Sequence, residues 1–302
     1  MSNIDISFIT INYNSSEFTT KLLESITHFT QLNYEVIIVD NASQKEDLAK
    51  LKKSITEYKN IKLVENKINS GFASGNMLGV NYASGEHLFF INNDTVLLND
   101  CASVMQSFLE KNSKVALCTA KVNDEKGNFS SSYTIFPSLT KEILGNSIAR
   151  KFNKFPSNKI KLQEPTKVEV VSGACMFFRA SSFREIGGFD TNFFLYCEEE
   201  DISKRVWLNN EEVYFLPDAT ILHHSGGSTE KSLAILKEYY ISYKHLIFKH
   251  FTLLESYVLM FMLFIKLFRR SFKTKNGFTL LLFALKGFAK KESLRYKQKL
   301  IS

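Results

Sequence analysis

The feature that most constrains this chain is an alternation through residues 1 to about 100, where short apolar runs are followed by pieces of helical length. Ile6 to Asn12 is a run rich in Ile and Phe. Ser16 to Phe29 carries Phe18, Leu22, Leu23 and Ile26 at helical spacing. Glu35 to Val39 is a β-branched run that closes on Asp40. Glu46 to Tyr58 reads as a polar helix, Ile61 to Val64 as a short strand, Gly75 to Ala83 as a helix and His87 to Ile91 as a buried strand. Strand and helix in turn predict an α/β fold: a mostly parallel sheet flanked by helices on both faces. In such sheets ligands bind at the carboxyl ends of the strands. Two runs end in polar residues suited to that place. Val36 to Val39 leads into Asp40-Asn41, and Leu88 to Ile91 leads into Asn92-Asn93-Asp94.

The second half is less regular. Asn123 to Thr166 holds three of the four prolines and reads as a loop-rich insertion or lid. Val168 to Val171 reads as a strand leading to Ser172-Gly173-Ala174. Val213 to Leu216 and Ile221-Leu222 read as two further strands, the second ending at His223-His224. From Ser232 onward the pattern is helical. With 302 residues, 44% of them hydrophobic, the chain has room for one large domain with an appendage. The expected division is one large domain over 1–230 and a helical region over 231–302.

Several clusters carry chemistry, and each has a bland reading beside the functional one. Asp94 at a strand end can hold a divalent metal that holds a diphosphate, but Asn-Asn-Asp is also ordinary turn chemistry. Asp40 either accepts from a pyrimidine imide or caps the next turn. Glu198, Glu199, Glu200 and Asp201 either favour a helix N-terminus through the dipole or supply a general base. Arg205, four residues after Asp201, suits a structural ion pair. His223 and His224 point to opposite faces of a strand, so at most one serves a metal or phosphate site.

Together and in order these strings resemble a known family. Ile9 to Asn14, Val39 to Ser43, Asn69 to Asn76 and Asn92-Asn93-Asp94 resemble the family 2 glycosyltransferases of the GT-A fold. Gly173-Ala174, Gly187 to Asp190, Phe193-Phe194, the run from Glu198 to Arg205, and His223 with Ser228 resemble its rhamnosyltransferase-like branch. The resemblance assigns Thr10, Asn12 and Asp40 to base and ribose recognition, and Asn69, Gly71 and Asn76 to the donor pocket. Asn93 and Asp94 take the metal–diphosphate motif, where Asn92 replaces the expected first acid. Gly173 and Ala174 face the acceptor. The same resemblance implies that residues 1–230 are a catalytic domain, with a nucleotide-binding half to about residue 100 and an acceptor half over 101–230. Glu199 is the implied base, with Asp201 and Glu198 beside it, and His223 joins Asp94 at the metal, Mn²⁺ or Mg²⁺.

The implied activity is an inverting, metal-dependent sugar transfer in bacterial surface polysaccharide synthesis. The donor is dTDP-rhamnose, favoured, or a UDP-hexose. The acceptor is a saccharide or a lipid-linked saccharide. The competing reading is a catalytically inactive module that binds nucleotide sugars.

Net charge is +7, but residues 231–302 carry 15 Lys and Arg against 3 Asp and Glu, while residues 1–230 carry 23 against 28. The basic tail also holds dense apolar stretches, Tyr257 to Ile265 and Phe278 to Leu285. Each is shorter than the roughly 20 residues that span a bilayer. Basic helices with Phe and Leu suit an anionic membrane surface; packing on a second copy is the alternative, and no nucleic-acid reader motif is visible. Met1 to Thr10 shows no secretory signal, and Cys101, Cys118, Cys175 and Cys197 form no CxxC pair. The expected location is therefore the cytoplasm, at the inner face of the plasma membrane.

Overall fold

A computed structural model describes residues 4–130, 132–140, 155–156, 162–224 and 232–300. Four parallel strands form the N-terminal half of the sheet: β1 (Ile6–Asn12), β2 (Tyr34–Asn41), β3 (Ile61–Asn66) and β4 (His87–Ile91). Helices α1 (Ser16–Phe29), α2 (Lys45–Ser54) and α3 (Gly71–Val80) connect them. β5 (Thr95–Leu97), α4 (Cys101–Lys111) and β6 (Val115–Asn123) follow, and β7 (Tyr133–Thr134) lies in the next described stretch. After residue 162 come β8 (Thr166–Lys167), β9 (Val170–Val171), β10 (Cys175–Arg179), α5 (Ala180–Glu185), α6 (Glu198–Leu208) and β11 (Glu212–His223). The main sheet runs β3-β2-β1-β4-β10-β6-β11-β5, with β8 also on β11. β10 enters antiparallel between β4 and β6, whereas β6 and β11 pair parallel.

Both faces of the sheet are covered, and β2 shows why its sequence is one continuous apolar run. Ile37 and Val39 enter one core cluster, Val36 and Ile38 the other. Successive side chains on a strand point to opposite faces, so a strand buried on both sides needs no polar alternation.

The second half departs from the sequence reading in two places. The strands expected at 213–216 and 221–222 are one strand, β11, with a register shift between Leu216 and Thr220. Pro217 lies at that shift, where a residue without an N–H is tolerated. Of the strand expected over 168–171 only β9, Val170–Val171, is strand, paired with β7; β8 just before it pairs with β11 instead. Part of the Asn123 to Thr166 stretch lies outside the described residues, and Tyr133 and Phe136 in its described part are buried in the main core.

The tail forms α7 (Leu233–His250), α8 (Leu253–Ser271) and α9 (Lys275–Leu285), then short 3₁₀ turns at Lys290–Glu292 and Leu294–Lys297. Thr252 and Glu255 close a reciprocal capping box that starts α8. Tyr240, Ile241, Leu267, Leu280 and Phe283 build a small core of their own, while Leu246 of α7 enters the main one. Among the described residues no helix is long and apolar enough to cross a membrane.

Candidate active site

The carboxyl ends of β1 and β2 carry a closed polar lattice. The Asn12 amide donates to Asp40 Oδ1 at 2.9 Å, Ser43 Oγ at 3.1 Å and Asp47 Oδ2 at 3.0 Å, while its Oδ1 accepts from Thr19 at 2.8 Å. Asp40 Oδ2 accepts the Ser43 N–H at 3.0 Å. Asp40 and Asn12 are fully buried, as is Thr10, whose hydroxyl has no partner among the described residues. These three predicted residues therefore lie beneath the ligand-facing surface and shape the loops above it.

That surface is a cavity of about 450 Å³. Four predicted residues line it: Asn69, Gly71, Asn76 and Asn93. Gly71 sits at φ +81°, and a Cβ there would lie 2.2 Å from the Phe194 carbonyl oxygen. The close approach lets the Phe72 N–H donate to that oxygen at 2.7 Å. Only glycine combines left-handed backbone with such contact. Tyr13, Asn41, Phe72 and Phe194 also line the cavity. All four lie within the motifs that carry the family resemblance, although none had been assigned a role there.

β4 ends beside this cavity. Asn93 donates to Ser15 Oγ at 2.6 Å and to Thr19 Oγ1 at 2.9 Å, which fixes the turn. Asp94 is buried, and its Oδ1 lies 3.1 Å from His223 Nε2. The antiparallel pairing of β5 with β11 delivers the imidazole, with His223 opposite Thr95. His224 faces away, 2.8 Å from Glu125. The two histidines thus diverge as a strand requires, and the one placed at Asp94 is the one expected there. Gly226 and Ser228 lie outside the described residues. No group of three or more His, Cys, Asp or Glu able to hold a metal occurs among the described residues. A carboxylate oxygen and an imidazole nitrogen that converge fit a divalent ion completed by oxygens from a bound diphosphate and water.

The acidic cluster lies next to this turn. The Asn92 N–H donates to the Ala174 carbonyl at 3.1 Å, which lays the 172–174 loop against the end of β4. A Cβ on Gly173 would lie 3.7 Å from the Glu199 carboxyl carbon. Gly173, Ala174, Asn92 and Glu199 therefore form one contiguous locus. Tyr196 (φ 70°) and Cys197 (φ 68°) both hold left-handed backbone immediately before α6. For residues with a side chain this costs on the order of 1–2 kcal/mol each, and such strain concentrates at functional sites. Its product is a helix start with four consecutive acids, Glu198 to Asp201.

Those acids separate into two kinds. Burial, then the charge of Glu198, pushes the Glu199 carboxyl up to about 8. Burial likewise raises Glu198 to about 8, with the charges of Glu200 and Asp201 adding to it. Asp201 is also buried, but His250, Arg205 and Lys249 more than offset that and hold its carboxyl below the usual range. Arg205 reaches Asp201 Oδ2 at 2.7 Å, and Lys249 and His250 reach Oδ1 at 2.7 and 2.8 Å. The Arg205 pair expected from spacing is present. The two partners from α7 carried no sequence signal, being 48 and 49 residues away.

Comparison with known proteins identifies the class. The family model for glycosyl transferase family 2 matches residues 7–187. The chain belongs to this family and is a glycosyltransferase. It is 24% identical over 226 residues to the rhamnosyltransferase WbbL of Escherichia coli K12, covering 72% of this chain and 82% of that one. It is 36% identical over 77 residues to an N-acetylglucosaminyl-diphospho-decaprenol L-rhamnosyltransferase of Mycobacterium tuberculosis, 24% of each chain. It spans about a third or less of three Rickettsia glycosyltransferases. Among solved structures, the mannosyltransferase PcManGT of Pyrobaculum calidifontis, in complex with GDP-Man and Mn²⁺, superposes with TM-score 0.55 at 15% identity. That match covers 95% of this chain and 70% of PcManGT, and it confirms the GT-A fold.

Proposed function

We propose that the protein is an inverting glycosyltransferase in which Glu199 removes the proton of the acceptor hydroxyl. The observation that carries this is the Glu199 carboxylate facing Gly173, on the loop held against the β4 end that bears Asp94. The acceptor oxygen attacks the anomeric carbon, the bond from that carbon to the diphosphate oxygen breaks, and the nucleoside diphosphate leaves with the electron pair. The proton passes to Glu199. A base whose pKa lies near working pH combines the required ionised form with sufficient proton affinity. Asp201, bound to Arg205, Lys249 and His250, has its charge already compensated and is a poor candidate for that task.

Asp94 and His223 are the residues that would hold a divalent metal, Mn²⁺ or Mg²⁺, with the donor diphosphate. Bound there, the metal would neutralise charge on the leaving diphosphate. The chain's own part is orientation: the His224 N–H donates to the Asp94 carbonyl at 2.9 Å and locks the turn to β11. The rhamnosyltransferases among its relatives support a rhamnosyl donor; the proposed donor is dTDP-rhamnose, with UDP-hexoses next, and the proposed acceptor a saccharide or lipid-linked saccharide. The place proposed for this reaction is bacterial surface polysaccharide synthesis.

A thermal-shift screen of nucleotide sugars with and without Mn²⁺ tests the donor. Stabilisation follows ligand concentration over Kd and reaches about 2.7 kcal/mol at 100 Kd. The donor should stabilise more with Mn²⁺ than without, and an equal response to every nucleotide sugar and to none would remove the proposal.

The tail supports attachment to an anionic membrane surface. Leu253, Leu254, Tyr257, Phe261, Phe268 and Phe272 of α8 and its C-cap are exposed, and Arg269 and Arg270 lie in the last turn of that helix. An apolar face beside basic residues suits an interfacial helix. Flotation with phosphatidylglycerol liposomes decides it, since a Leu253→Asp/Phe261→Asp variant that floats as well as wild type would sink the idea.

A further inference from the structure

The cavity between Tyr13, Asn69 and Phe194 is not closed by the catalytic domain alone. Its remaining wall comes from the tail: Ser232 and Ile235 at the start of α7, and Leu294 and Gln298 at the last 3₁₀ turn. These residues lie beyond the 7–187 span matched by the family model. The turn is anchored from several sides. Glu238, buried in α7, accepts from Ser293 Oγ at 3.0 Å and from the Leu294 N–H at 2.7 Å. Arg295 lies 5.9 Å from the centre of the Phe194 ring and donates to the Thr191 carbonyl. Ser242 of α7 donates to the Leu195 carbonyl at 2.8 Å, tying the helix to the same Phe194-Leu195 edge.

The chemistry of the lining is as informative as its source. Among the described residues that line the cavity there is no Asp, Glu, Lys or Arg. Side-chain amides and apolar side chains, aliphatic and aromatic, dominate instead. A formal charge placed in such a cavity would lose its hydration without gaining a partner. The diphosphate therefore belongs outside it, at Asp94 and His223, and the cavity suits an uncharged ring bearing hydroxyl or imide groups.

We infer that Leu294 and Gln298 are donor-specificity residues, and that the C-terminal turn is the wall against which the uncharged part of the nucleotide sugar, its nucleoside or its glycosyl ring, is selected. This rests on the donor reading given above. Leu294 offers an apolar contact, and Gln298, whose amide N–H donates to the Leu294 carbonyl at 2.8 Å, keeps its side-chain oxygen as an acceptor. Glu238 is a positioning residue that holds the turn in place.

Titration calorimetry on the full chain with Mn²⁺ tests this, using UDP, dTDP, UDP-glucose and dTDP-rhamnose as probes and wild type, Leu294→Ala and Gln298→Ala as proteins. The ligand-free unfolding curves of the variants serve as controls for folding. Kd is expected to rise on the order of tenfold for each variant, the scale of one lost contact in a specificity pocket. A rise for diphosphates and sugar nucleotides alike places the nucleoside against the turn. A rise for sugar nucleotides alone places the glycosyl ring there. Wild-type binding that both folded variants keep unchanged overturns the inference, whereas no binding by wild type to any probe overturns the donor reading itself.

Discussion

Glu199 and Asp201 sit two positions apart in the first turn of α6, share the same helix dipole, and have opposite surroundings. Asp201 is buried against Arg205, Lys249 and His250. Glu199 faces the 173 loop, with an oxygen that has no hydrogen-bond partner among the described residues. The difference teaches how one acidic run serves two purposes. Where cations meet the carboxylate, its charge fastens the tail to the catalytic domain. Where none does, its charge stays costly and is available for chemistry.

The largest effect expected from breaking this contrast is on Asp201. Asp201→Asn leaves Arg205 and Lys249 without their shared carboxylate, and loss of one partner of a buried ion network costs about 3–5 kcal/mol. Urea unfolding at pH 7 should show that drop, with the turnover of the folded fraction largely kept. Intact stability with turnover abolished would exchange the two roles. The network also has a pH signature. The folded-state pKa of Asp201 is lowered, so its contribution is present above the unfolded value near 3.8 and is lost as pH falls through the lower folded value.

Glu199→Gln comes next. It should cut turnover at least about 100-fold, the general-base scale, while the unfolding midpoint stays level or rises. Asp94→Ala should cost turnover on the same scale, and the mutant should lose the stabilisation that Mn²⁺ adds to donor binding. A Glu199→Gln enzyme working at wild-type rate would return the base to one of its neighbours.

A smaller effect sharpens the assignment. With Glu199 raised to about 8, the ionised base is scarce in acid. The profile of kcat/KM should therefore climb with pH through about 8, and the residual rate of Glu199→Gln should lack that limb. A profile flat from pH 6 to 9 in the wild-type enzyme would speak against a raised base.

Much of this was legible in the sequence, for reasons that differ by residue. β2 and β4 announce themselves because strands buried on both faces are continuous apolar runs, and β1 does so by its Ile and Phe content. Their carboxyl ends place Asp40, Asp94 and the glycine-rich segment on one side of the sheet. The start of α3 at Gly71 rather than Gly75 was hidden, because its left-handed entry is set by contact with Phe194, 123 residues away in the chain. β11 read as two strands because Pro217 interrupts the apolar pattern although the pairing resumes beyond it. Lys249, His250, Leu294 and Gln298 carry no motif. Their significance comes only from long-range packing of the tail, which periodicity does not report.

The smallest effect belongs to Glu198, and it isolates the cost of uncompensated charge from its use. Glu198 is buried, with one oxygen lacking a hydrogen-bond partner among the described residues, and it does not face Gly173. Its carboxyl is raised from 4.5 to about 8. The sign follows from linkage: the folded state favours the protonated acid, so this stabilisation is full below pH 4.5 and disappears as pH rises through about 8. Glu198→Gln mimics the protonated form at every pH. It should match wild type near pH 4.5 and exceed it by on the order of 1 kcal/mol at pH 8, since Glu198 and Glu199 share the penalty and only one is relieved. Paired unfolding curves at those two pH values measure the gap. If Glu198→Gln is instead less stable at pH 8, then Glu198 is held by compensating contacts as Asp201 is, and the division between fastening and reactive acids falls between Glu198 and Glu199.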